Sequence, residues 1–208
     1  TDPSRDPVVI GSHLDSQPTG GRYDGSYGVM VGLEIVRVLH GAGVRLAAPI
    51  EVVSWTDEEG ARFPPAMLGS GVFAGAISLE AGLGSTAMDG TVLMDELVRI
   101  GYSGSEPAGS RIIGHYLEPH IEQGPILEAG GHVIGIVTGV QGIRWYDVAI
   151  TGKESHAGTT PMDRRSDAML SAARIVDGVD RIARTHGPDG RATVGVLEAL
   201  PGSRNTVC

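Results

Sequence analysis

Pro7-Val8-Val9-Ile10-Gly11-Ser12-His13-Leu14-Asp15 begins with a β-branched apolar run, turns polar at Gly11, and then delivers an imidazole and a carboxylate two residues apart. That order reads as a buried strand running into a loop. Between Gly28 and His40 the apolar residues Val29, Leu33, Val36 and Val38-Leu39 recur at helical spacing, and Gly41 and Gly43 end the pattern. Ile50 to Trp55, preceded by Pro49, predicts a second strand, and it too is followed by a polar cluster, Asp57-Glu58-Glu59-Gly60. Strand, loop, helix and strand, with polar groups just beyond the strands' carboxyl ends, is the pattern of an open α/β sheet. Its loops diverge at that edge and leave a crevice for ligands.

Outward from this unit the signals vary in strength. Pro64 to Ser85, rich in Gly, Ala and Ser, reads as helical turns broken by loops, and a clearer helix is predicted over Thr91 to Ile100. Tyr116 to Glu122 reads as a strand end, with Pro119 placing it at a sheet edge. His132 to Val140 alternates weakly and Trp145 to Thr151 more clearly, so both are expected as strands. A helix is predicted over Arg165 to Ala183, where Ala168, Ala172, Ile175, Val176, Val179 and Ile182 share one stripe, and a last strand over Thr193 to Leu197. The character of the chain changes near Gly142, which predicts one domain over residues 1–141 and another over 142–208.

Composition narrows the function classes. Hydrophobic residues make up 41% of the 208, enough for a real core, and no apolar run approaches the eighteen or so residues of a membrane span. With 25 acidic against 16 basic residues, net −9, the chain carries no footprint for a nucleic-acid backbone or an anionic membrane, and small molecules are the expected partners. The only cysteine is Cys208, which excludes a disulfide framework within the chain and favours a reducing, cytoplasmic setting. The 32 glycines, without any repeat period, suggest tight loops between short elements.

Four places could carry chemistry. In Gly11-Ser12-His13-Leu14-Asp15 the carboxylate can hold the second ring nitrogen and fix the tautomer of His13. Asp24 lies in a turn between glycines, Gly20-Gly21-Arg22-Tyr23-Asp24-Gly25. Asp57, Glu58 and Glu59 repel one another unless solvated or neutralised by cations, and adjacent Glu58 and Glu59 can divide labour between binding a cation and moving a proton. His120 is flanked by Glu118 and Glu122. Singly, each is an ordinary loop or surface residue. Together, two imidazoles and at least two carboxylates match the ligand set that zinc, manganese, cobalt or nickel accepts.

The motifs G-S-H-L-D-S-Q-P-T-G-G-R-Y-D-G (11–25), W-T-D-E-E-G-A-R-F (55–63), H-I-E-Q-G-P-I-L-E (120–128), G-K-E-S-H-A-G-T-T-P-M (152–162) and P-G-S-R-N-T-V (201–207) run in order through nearly the whole chain. They resemble the bacterial N-carbamoyl-L-amino-acid hydrolases and β-ureidopropionases, the hydantoinase/carbamoylase group of M20-type metallopeptidase-like amidohydrolases. The resemblance implies an α/β fold: an open sheet flanked by helices with a dinuclear metal site, plus the first part of an α+β lid and dimerisation domain.

Residue by residue, it implies His13, Asp24, Glu59 and His120 as ligands of two divalent ions (Zn, Mn, Co or Ni), with Asp24 shared between them. Asp15 matches the residue that orients His13, and Glu58 the general base. Gln123 and Asn205 match substrate-binding positions. His156 matches a catalytic donor that reaches the active site of the partner in a homodimer formed through the lid. The implied reaction is hydrolysis of linear C–N bonds, N-carbamoyl-L-amino acids giving amino acid, carbon dioxide and ammonia. Allantoate and N-acyl amino acids are the alternative substrates. Members of the group continue past residue 208 to a further metal-binding histidine and a carboxylate-gripping arginine, so the chain is expected to be part of a longer protein, and a metal-binding fragment inactive alone is the non-enzymatic alternative.

Overall fold

The computed structural model describes residues 2–208, and the chain divides into two compact units, Thr1–Ile136 and Val137–Cys208. In the first, β1 (Val8–His13), α1 (Ser26–Gly41) and β2 (Ile50–Trp55) form a strand-helix-strand unit. The two strands pair in parallel from Val8↔Ile50 to His13↔Trp55. A third strand, β3 (His115–Leu117), adds in parallel on the other side of β1, giving the order β2-β1-β3. The expected open parallel sheet with helices is therefore present. Because β1 is the middle strand, its residues from Val9 to His13 are all buried, which explains why it opens on the apolar run Val8-Val9-Ile10 rather than on an alternation.

α1 lies against β1 and β2 with a face that the predicted stripe marks only at Val29. Its buried residues are Gly28, Val29 and Gly32, whereas Leu33, Val36 and Val38 of the predicted stripe are exposed. The small residues let the helix come down onto the strands: a Cβ at Gly28 would run into the Pro119 carbonyl and stand 2.7 Å from Ser12 Cβ. The broken region after β2 forms two short helices, α2 (Leu68–Phe73) and α3 (Leu79–Leu83), followed by α4 (Leu93–Arg99). Phe63, Leu68, Ala87 and Leu93 build a small core there, with Leu97 packed against it. A four-residue helix, α5 (Ile126–Ala129), follows β3.

In the second unit β4 (Ser155–His156) pairs antiparallel with β5 (Thr206–Val207), and α6 (Ala168–Thr185) starts from an Asp167 cap whose carboxylate accepts from the Leu170 N–H at 2.9 Å. The strands predicted over 132–140, 145–151 and 193–197 do not form among the described residues. These segments run without a strand partner, and Val133, Ile136, Val140, Trp145 and Val196 are each more than 75% exposed. Alternation selects residues suited to a strand, but a strand exists only when another backbone takes up its N–H and C=O groups. No helix among the described residues is long and apolar enough to cross a membrane.

Candidate metal centre

The sheet brings the sequence's separate signals to one edge. β1 ends on His13, β2 is followed directly by Thr56 to Glu59, β3 leads through Glu118 and Pro119 to His120, and Asp24 sits in the turn before α1. His13, Asp24 and His120 form a group whose ligand atoms lie within 4.8 Å of one another. His120 Nε2 is 3.5 Å from His13 Nε2, and Asp24 Oδ1 lies 3.3 Å from the first and 3.9 Å from the second.

Backbone carbonyls set the tautomers. His13 Nδ1 donates to the Asp15 carbonyl at 2.9 Å and His120 Nδ1 to the Ile121 carbonyl at 2.8 Å. A carbonyl only accepts, so each Nδ1 carries a proton, and a ring whose single proton sits there turns a bare Nε2 lone pair towards the other. Two lone pairs and a carboxylate oxygen facing one another are mutually repulsive unless a cation lies between them. Asp24 Oδ1 is also buried with no hydrogen-bond partner, an expensive state for a carboxylate oxygen that a cation would relieve. Tetrahedral zinc with ligands at 2.0–2.1 Å sets its ligand atoms about 3.3 Å apart, close to the spacings here. The three residues thus fit one divalent ion in donor type, tautomer and spacing.

Gly25 shows how tightly the turn closes over His13. It takes φ +63°, and a Cβ on it would collide with the imidazole ring. Gln123 donates its side-chain amide to Asp24 Oδ2, holding that carboxylate from the side away from the histidines. Its predicted place was on the substrate; the contact the structure gives it is with Asp24.

Glu59 stands outside the three-residue group. Its Oε2 accepts from Gln17 Nε2 at 3.1 Å, and its Oε1 is buried without a partner. Asp15 meets His13 Nδ1 through its backbone carbonyl; its carboxylate, 3.6 Å from that nitrogen, instead accepts from the N–H groups of Glu58 and Glu59 at 3.2 and 3.0 Å. Glu58 places Oε2 3.5 Å from His13 Nε2. Burial pushes its carboxyl above the usual range, the His13 ring opposes that, and the Glu59, Asp15 and Glu118 carboxylates add to it. Asp57 is pushed up to about 6, by burial first and the Asp15 carboxylate second, with the Phe63 N–H pulling the other way.

A second layer was not anticipated. Trp55 Nε1–H donates to Tyr116 Oη at 2.8 Å, Tyr116 donates to Glu118 Oε2 at 2.7 Å, and Ser12, fully buried, donates to Glu118 Oε1 at 2.6 Å. This chain ties β1, β2 and β3 together two residues before His120. Burial and then the Glu118 carboxylate raise the Tyr116 phenol, so it stays a donor. The signal was present as a period of two, since Tyr116, Glu118 and His120 alternate along an extended segment.

In the second unit His156 ends β4 and Asn205 precedes β5. The Asn205 side-chain amide lies 3.3 Å from His156 Nε2, and the Ala157 N–H donates to the Asn205 carbonyl at 3.0 Å.

Residues 9–200 match the peptidase family M20/M25/M40. The chain is 50% identical over 207 residues to an N-carbamoyl-L-amino-acid amidohydrolase of Rhizobium meliloti, covering 100% of this chain and 50% of that protein. It is 42% identical over 211 residues to an N-carbamoyl-L-amino acid amidohydrolase of Geobacillus stearothermophilus, covering 100% and 51%. Among solved structures, an amidase of the hydantoinase/carbamoylase family from Burkholderia vietnamiensis superposes with a TM-score of 0.92 at 55% identity, over 98% of this chain and 49% of that one. The chain spans about half the length of the relatives it matches. With a match that covers most of its residues, this chain belongs to peptidase family M20/M25/M40.

Proposed function

We propose that this chain carries the metal-binding part of an amidohydrolase that cleaves linear C–N bonds, with N-carbamoyl-L-amino acids as substrates. The observation that carries the reading is the convergence of His13 Nε2, His120 Nε2 and the orphaned Asp24 Oδ1 beyond three adjacent parallel strands, with the Glu58 carboxylate beside them. The substrate follows from the likeness to the two N-carbamoyl amidohydrolases.

His13, Asp24 and His120 would hold one divalent ion. Asp24 and Glu59 would hold a second ion, the finer part of the proposal, supported by the unpartnered Glu59 Oε1. Such ions would supply Lewis-acid polarisation of a substrate carbonyl and would lower the pKa of water far enough to give hydroxide near neutral pH. Glu58, held by burial above the ordinary carboxylate range, takes the proton of the attacking water and returns it to the leaving nitrogen. Asp15 fixes the backbone from which Glu58 and Glu59 project. His156, acting across a homodimer built through a lid formed by the second unit, donates a hydrogen bond to the oxygen on which negative charge develops; removing such a donor costs about 2.7–4 kcal/mol. Asn205 completes the substrate contacts of the same region. Water adds to the ureido carbonyl, the C–N bond to the amino acid breaks, and the carbamate released falls to carbon dioxide and ammonia.

The test is a substrate panel on the full-length protein, metal-stripped and then reloaded with Mn, Co, Ni or Zn. N-carbamoyl-L-amino acids are expected to turn over best under at least one metal. Turnover of allantoate or N-acyl amino acids alone would move the substrate assignment, and failure of every substrate despite stoichiometric metal would remove the enzymatic reading.

A further inference from the structure

His156 is enclosed by the turn that follows it. The backbone N–H groups of Gly158 and Thr159 both donate to its Nδ1, at 3.0 and 3.2 Å. Two donors on one ring nitrogen require its lone pair, so Nδ1 bears no proton and the neutral ring carries its hydrogen on Nε2. A Cβ at Gly158 would stand only 3.2 Å from the ring, so the missing side chain is what lets the backbone come this close. The Thr160 N–H closes the turn on the His156 carbonyl at 3.1 Å.

Arg165 holds that turn from outside. Its Nη2 donates to the Ala157 carbonyl at 2.6 Å and to the Thr160 carbonyl at 3.0 Å, and its Nε to the Thr160 carbonyl at 3.1 Å. The half-buried guanidinium thus directs its fork at two backbone carbonyls that flank Gly158 and Thr159. No lysine could reproduce this, because an ammonium lacks the planar pair of donors.

We propose that Arg165 is a positioning residue for His156. By clamping the Ala157 and Thr160 carbonyls it aims the Gly158 and Thr159 N–H groups at Nδ1, which fixes the Nε2–H tautomer and presents that N–H to the developing oxyanion. The proposal rests on His156 being the oxyanion donor of the preceding section. The opposite tautomer fails twice: its Nδ1–H would face two other donors, and its Nε2 lone pair would repel the oxyanion. On the far side of the ring Asn205 Nδ2 lies 3.3 Å from Nε2; a protonated Nε2 requires the amide turned over so that Oδ1 accepts, the two ends of an amide being assigned by their hydrogen-bond partners. At that length it is a weak neutral tether. An anionic oxygen makes hydrogen bonds about twice as strong and displaces it.

The experiment is ring-¹⁵N NMR of the histidines in the metal-loaded full-length protein, with steady-state kinetics on an N-carbamoyl amino acid for R165A, R165K and H156F. In the unaltered protein His156 is expected to show an unprotonated Nδ1 and a protonated Nε2. Both Arg165 variants are expected to mix the tautomers and to lose about 100-fold in kcat, the scale of a small misplacement of a reacting group, with KM changing far less. A protonated Nδ1 in the unaltered protein overturns the tautomer lock without requiring any variant to fold. Native tautomer populations together with native kcat in R165A overturn the role of Arg165. Should H156F keep full kcat, the donor reading of His156 falls, while the spectrum still decides whether the turn fixes the tautomer.

Discussion

Asp15 serves the site from two different groups of atoms, and a substitution separates them. Its carbonyl, which any residue would supply, fixes the proton of His13 on Nδ1; its carboxylate alone holds the N–H groups of Glu58 and Glu59. Asp15→Ala is therefore expected to leave the His13 tautomer unchanged and to loosen the Glu58–Glu59 backbone, at about 1.5–3 kcal/mol for lost hydrogen bonds to a charged group. Urea denaturation and ring-¹⁵N NMR check the two halves, and a flipped His13 tautomer at unchanged stability contradicts the division. Glu58→Gln separates base from ligand in the same way. Glu58 lies outside the His13, Asp24 and His120 group, so the variant should keep its metal by elemental analysis. It should lose about 10²–10⁴-fold in turnover, the usual worth of a positioned acid–base group. Activity within tenfold of the parent would assign the proton transfer elsewhere.

Elements set what these residues can reach, and the turn into α1 is the tightest case. Gly25 combines φ +63° with a Cβ direction that points into the His13 ring. Gly25→Ala is expected to cost more than about 1 kcal/mol and to weaken divalent-ion binding by moving His13 or Asp24; calorimetry with and without metal reads both, and unchanged metal affinity would show that the turn only packs.

α4 carries a separate, pH-dependent contribution. Glu96 donates nothing and accepts from Arg99 at 2.9 Å and Arg62 at 3.0 Å, and these two, Arg99 first, hold its carboxyl down to about 2. A carboxyl lower in the folded than in the unfolded chain stabilises above the unfolded value near 4.5, and that contribution is lost as pH falls from there to about 2. Glu96→Gln should flatten the urea midpoint over this window relative to the parent, and parallel curves would show that the ion pairs contribute nothing. At this scale the sequence was readable where burial alone dictates form. β1 and β2 carry the apolar runs Val8 to Ile10 and Val52-Val53 with punctuation at both ends, and His13, Glu58 and His120 were found because they stand at or just beyond the ends of strands. The face of α1 was read only at Val29, because Gly28 and Gly32, not the further apolar side chains, make the rest of its contact with the sheet. The Trp55, Tyr116, Glu118 and Ser12 chain depends on three strands meeting, which no local pattern states. The strands expected over 145–151 and 193–197 had suitable residues but no partner backbone among the described residues.

Across the whole chain, the proposed ligands come from residues 13, 24 and 120, so the ion would close long loops that only the folded first unit brings together. An ion that binds the folded form and not the unfolded one stabilises by RT ln(1 + [L]/Kd), about 2.7 kcal/mol at a hundredfold excess over Kd. For a chain of this size that is a rise of roughly 2–4 °C in Tm for each kcal/mol. The second unit contains none of the three ligands, so the shift should appear only in the melting of residues 1–136. Hydrogen exchange followed by peptide, with and without a chelator, locates it: protection is expected to fall around β1, the Asp24 turn and the segment after β3, while α6 and its Asp167 cap exchange at the same rate in both conditions. His13→Ala should abolish the difference. A chelator effect of equal size in both units, or one that survives His13→Ala, would mean that the stabilising ion binds somewhere other than at these two imidazoles and the Asp24 carboxylate.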